Sequence, residues 1–109
     1  MACTITEDKN VLKVEIEGRF VAAVAPAARD EVIGRMGPGT NVLFDLGKMV
    51  HIDSSGIGML VQILQKAKAL GGKVILANLQ PGPKIVFEIT KVNRVFDIVP
   101  TVEDATFPV

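Results

Sequence analysis

His51-Ile52-Asp53-Ser54-Ser55-Gly56-Ile57-Gly58 is the stretch on which the reading of this 109-residue chain turns. Upstream lies the apolar run Val42-Leu43-Phe44, patterned as a strand covered on both faces. Downstream, Ile57 to Leu70 is the most helix-like segment in the chain. An acid, two hydroxyls and two glycines therefore fall where a helix begins. Helix N-termini carry unpaired backbone N–H groups and a partial positive charge, and so receive anions and phosphate well. Ser54 and Ser55 are also the only serines in the protein.

Working outward, Ile57, Leu60, Val61, Leu64 and Ala67 share one helical face, with Gln62, Lys66 and Met59 opposite. Met59 is thus expected as an exposed apolar residue beside the serines, and Gly71-Gly72 closes the helix. The preceding strand is expected over Asn41 to Leu46. Before it, Ala25, Ala28, Val32 and Met36 recur at helical spacing within Ala22 to Met36, with Pro26 in the first turn and Gly37-Pro38-Gly39 as the stop. Val11 to Glu17 alternates apolar and charged residues, the signature of a half-buried strand that Gly18 should end. Thr4-Ile5-Thr6 offers it an antiparallel hairpin partner with one solvated face.

Beyond the helix, Val74-Ile75-Leu76-Ala77 reads as a buried parallel strand. Pro81-Gly82-Pro83 opens a helix with Ile85, Val86 and Ile89 as its apolar residues, and Val95 to Val99 is a last strand. Thr101 and Asp104 form a capping-box pattern for a terminal helix. Strands alternating with helices imply an α/β fold with a mainly parallel sheet.

The totals exclude several classes. Twelve basic and twelve acidic residues cancel, and the aromatic residues are five phenylalanines without basic interleaving, so nucleic acid is not an expected partner. Cys3 is the single cysteine, which fits a reducing compartment. The N-terminal residues lack a basic start and a long apolar region, and the longest uncharged stretch, Ser54 to Gln65, is too short to span a bilayer. A cytoplasmic protein without membrane insertion, forming a single domain over residues 1–109, is the expectation.

At the central stretch, the plainest role for Asp53 or Ser54 is a helix N-cap, worth about 1 kcal/mol. Gly56 and Gly58 argue against so plain a role, because each costs about 1 kcal/mol against alanine in a helix. Side-chain-free positions let another backbone or a phosphate come close. His51, Asp53 and a serine do not make a catalytic triad on this pattern: the Gly-x-Ser-x-Gly elbow is absent, and triad members normally come from distant parts of a fold. Neither phosphate-loop motif occurs, and His51 has no second histidine or cysteine as a metal-ligand companion. No catalytic residue, metal or cofactor is expected.

Asp53-Ser54-Ser55-Gly56-Ile57-Gly58, led by Leu43-Phe44-Asp45-Leu46 and followed by a helix ending in Gly71-Gly72-Lys73-Val74, resembles the STAS domain of bacterial anti-sigma factor antagonists. The resemblance covers nearly the whole chain and implies a four- or five-stranded mixed, mainly parallel sheet with about four helices. It implies partner switching: the unphosphorylated antagonist binds an anti-sigma factor, a serine kinase of histidine-kinase-like fold, and frees a sigma factor. The kinase phosphorylates the serine directly after the aspartate, which maps to Ser54, and a serine phosphatase reverses the reaction. Asp53, Ser54, Ser55, Gly56, Gly58 and Met59 are the implied partner-binding residues. One departure stands out. Family members commonly carry Gly-Glu-Leu-Asp after the second strand, whereas this chain has Gly18-Arg19-Phe20-Val21, without either acid. That loss favours an alternative, a STAS subunit docked constitutively on another complex such as a lipid-transport ATPase, while the intact Asp-Ser-Ser-Gly favours the switch.

Overall fold

Leu12, Val14 and Ile16 turn inward along strand β2 (Val11–Phe20), which pairs antiparallel with β1 (Ala2–Asp8). Lys9 and Asn10 make the connection with φ of 49° and 68°, both positive as a two-residue type I′ hairpin requires. The computed structural model describes residues 2–107; residues 1, 108 and 109 of the expected span lie outside the described residues. After the hairpin come helix α1 (Ala25–Gly34), β3 (Asn41–Ile52), helix α2 (Ser54–Ala69), β4 (Val74–Ala77), helix α3 (Pro81–Thr90) and β5 (Asp97–Val99). The five strands stand in the order β1-β2-β3-β4-β5, parallel from β2 onward.

All three helices pack on one face of this sheet. Val14, Ile16, Val42, Phe44, Leu46, Val74 and Leu76 meet Ala25, Ala28 and Val32 of α1, Leu60, Ile63, Leu64 and Ala67 of α2, and Phe87 of α3 in one core. Burial on this scale, at about 25 cal/mol per Å² of apolar surface, is the main force holding the layers together. The opposite face is covered only in part. There Leu43, Ile75 and Ala77 are buried beneath Val102, Ala105 and Phe107 of the C-terminal segment. A hollow of about 580 Å³ opens beside them, between that segment and the Lys9–Lys13 stretch.

Four expectations need correcting. Gly18 does not end β2; it lies inside the strand at a register shift with φ of 88°, where a side chain would be strained, and pairing continues to Phe20. β3 does not stop at Leu46 but runs to Ile52, with inward residues at Leu46, Met49 and Ile52 in place of strict alternation. The cause is two β-bulges: Glu15 to Phe20 spans six residues on β2, while the paired Asp45 to Ile52 spans eight on β3. In α3 the anchor is Phe87, fully buried and edge-on to Phe96 at 6.3 Å, while Ile85 and Ile89 face solvent. The terminal helix is a single 3-10 turn, Val102–Asp104, held by the Thr101–Asp104 capping box, so the described residues form three α-helices and two 3-10 turns, not four helices.

Candidate functional site at the start of the second helix

β3, the central strand, delivers the chain to the C-terminal end of the parallel strands, and Asp53 reverses it into α2. Its backbone is extended and one carboxylate oxygen, Oδ1, accepts a hydrogen bond from the Gly56 N–H at 2.9 Å, so Asp53 is the N-cap. The other oxygen, Oδ2, accepts from the Ala22 N–H at 3.2 Å in the loop between β2 and α1. One side chain thus ties the first turn of α2 to the neighbouring crossover. The bond from Gly56 holds the Asp53 carboxyl below its ordinary value, partial burial opposes this, and Ala22, Ser55 and the nearby His51 assist. With both oxygens committed to backbone N–H groups, Asp53 is poorly placed to orient a histidine as a triad acid would.

Ser54 is the first residue of α2 and is exposed, whereas Ser55 is half-buried. A group added to the Ser54 hydroxyl lies at the positive end of the helix dipole and projects into solvent. Gly56 is buried, and its missing side chain serves the domain itself. A Cβ there would overlap the Phe20 carbonyl oxygen and stand 2.8 Å from Ile52 Cγ1. Gly58 is different: nothing lies within 4 Å of where its Cβ would be. Met59 is not the exposed residue the helical pattern suggested. It is half-buried and packs against the main core, because the buried face of α2 is wider than one stripe and takes in Ile63 as well.

His51 is exposed and pairs in register with Arg19 of β2, beside Phe20. The segment Gly18-Arg19-Phe20-Val21 therefore borders the site, and a guanidinium stands on the rim where acids were expected. Neither the Ala22 contact nor the Phe20 approach carries a sequence signal; both arise from parallel pairing between residues more than thirty positions apart. Among the described residues no cluster of three metal-ligating side chains occurs, and no helix is long and apolar enough to cross a membrane.

The sequence model of the STAS domain matches residues 2–105. The anti-sigma-B factor antagonist of Bacillus subtilis (strain 168) is 27% identical over 94 residues, 86% of each chain. An anti-sigma-factor antagonist (STAS) domain protein from Planctomyces limnophilus superposes with a TM-score of 0.83 at 18% identity, covering 94% of this chain and 92% of that one. The phosphorylated form of the Bacillus cell fate determinant SpoIIAA gives 0.71 at 19% identity, covering 94% and 95%. At such identities the superpositions speak for the fold, which is the α/β STAS fold. The STAS anti-sigma factor antagonists are regulatory proteins, not enzymes. By the match along nearly its whole length, the chain belongs to the STAS-domain family.

Proposed function

We infer that this protein is an anti-sigma factor antagonist that works by partner switching in the cytoplasm. With Ser54 unmodified it binds an anti-sigma factor serine kinase of histidine-kinase-like fold and so releases a sigma factor. Phosphorylation of Ser54 by that kinase ends the complex, and a serine phosphatase restores it. The observation that carries this reading is the position of Ser54: an exposed hydroxyl on the first residue of α2, directly after a cap whose carboxylate is already engaged.

A phosphate there adds about −1.5 to −2 charges and three acceptor oxygens. The helix N-terminus tolerates that anion within the domain. A partner surface fitted to a small neutral hydroxyl does not, since repulsion and desolvation both oppose docking. Asp53, Ser54, Ser55, Gly58 and the rim of Met59 form the docking surface, and Gly56 acts through the tight turn it permits. The experiment is capture from a lysate of the native host with wild-type, Ser54→Ala and Ser54→Asp baits, read by mass spectrometry. A kinase-like protein held by the first two and lost with Ser54→Asp is the expected result. Equal capture of another complex by all three overturns the switch and supports constitutive docking, the reading that Arg19, standing where an acid was expected, favours.

A further inference from the structure

Helix α3 carries apolar side chains on two sides. Pro83 and Phe87 are buried against the body of the domain, yet Ile85 and Ile89 on the far side are 57% and 74% exposed. A surface helix needs one apolar stripe to fold against its sheet; a second, turned to water, costs solubility and points to an interaction. Lys84 and Glu88 each stand one position before an isoleucine, about 100° round the helix from it, and so lie together on the flank between the outer stripe and a hollow lined by Ile98, Val99 and Pro100. Gly82, one turn earlier, leaves open space, with only the Val50 carbonyl 4.0 Å from where a Cβ would be.

The order of these charges is the informative feature. Along the helix the flank reads positive, then negative. Turned through a two-fold axis, the same flank reads negative, then positive, so it complements itself. The chain has no net charge and an isoelectric point near 6.6, so no long-range field keeps two copies apart.

We propose that this face of α3 is a dimer interface, occupied by a second copy of the chain packed antiparallel across a two-fold axis. Ile85 meets Ile89 of the partner subunit, and Lys84 meets Glu88 of the partner subunit, each contact occurring twice by symmetry. Same-side flanking residues meet in this way in antiparallel helix pairs, where they set partner choice and orientation. A ten-residue helix is only about 15 Å long, so the dimer is weak and reversible. Residues 53–59 take no part in it, and the proposal is independent of the reading of Ser54.

The test is sedimentation equilibrium of the purified chain from about 10 µM to about 1 mM. Wild-type protein is expected to pass from monomer to dimer across that range, and Ile89→Glu to remain monomeric throughout. Lys84→Glu and Glu88→Lys each weaken association by about tenfold or more, because like charges then face one another. Mixed in equal amounts they recover it, since every glutamate now faces a lysine. All the replaced side chains are exposed, so melting temperatures should stay close to wild type and show that the fold is intact. A wild-type monomer at the highest concentration overturns the proposal, as does a mixture that associates no better than either variant alone. Loss of the Ser54-dependent partner with Ile89→Glu, without any change in sedimentation, would assign the face to that partner and equally overturn it.

Discussion

Two glycines of the first turns of α2 should respond oppositely to the same substitution. In Gly56→Ala the new Cβ meets the Phe20 carbonyl oxygen, Ile52 Cγ1 at 2.8 Å and Phe20 Cδ2 at 2.9 Å. None of these yields easily, because one is backbone of β2 and the side chains are fully buried. Overpacking of this kind costs about 3 kcal/mol at the upper end of its usual range. Better helix propensity returns about 1 kcal/mol. A net loss of about 2 kcal/mol follows, which lowers the melting temperature by about 8 °C in a domain of this size. In Gly58→Ala only the propensity gain remains, since the site is open, and melting should rise by about 4 °C. Thermal and urea melts of the two variants beside wild type make the comparison. Equal or higher stability of Gly56→Ala would refute the claim that β2 backbone sets the start of α2, and a destabilised Gly58→Ala would refute its openness. A Gly58→Ala protein that is more stable yet captures less partner would place Gly58 in the docking surface.

Asp53→Asn should lose stability above the ordinary carboxylate range and converge on wild type in acid. The folded carboxyl titrates below its unfolded value, so its contribution is complete above that value and is lost as pH falls through the folded one. Urea melts at about pH 7, 5 and 3 check this, and a gap independent of pH would contradict it. Phe87→Ala should cost about 3–5 kcal/mol, read from the urea midpoint, because the ring is fully buried and stacked edge-on to Phe96. A loss under about 1 kcal/mol would mean that α3 is held by something else.

Where one face of an element is buried and the backbone is regular, the fold is legible in the residues. Leu12, Val14 and Ile16 alternate and form β2; Leu60, Leu64 and Ala67 recur by helical turns and form the inner side of α2; Val74 to Ala77 is apolar throughout and lies buried between two strands. The second half of β3 was hidden because its bulges space the inward residues three apart, a period that belongs to no regular strand. In α3 the apolar residues Ile85 and Ile89 do not say which side is inward, and Phe87, which that pattern leaves out, is the one that reaches the core. At the candidate site, the cap and the exposed serine follow from Asp53-Ser54 and a helical pattern after it. The reach of Asp53 to Ala22 does not, since a contact across 31 residues depends on which strands lie side by side.

The paired bulges of β3 also set a rule for changes in chain length. From the pair Glu15–Asp45 to the pair Phe20–Ile52, β2 advances five steps and β3 seven, and the two extra residues are taken up one at each bulge. Because each bulge takes up its residue without reversing the strand, Met49 and Ile52 both stay inward at three-residue spacing. Removing one residue at a bulge should therefore restore regular pairing there and leave Ile52 inward and Asp53 at the head of α2. A single deletion inside the regularly paired Val42–Asp45 stretch should instead carry alternate side chains to the wrong face. The bulges are thus the places where this strand can change length without turning Ser54 away from the surface.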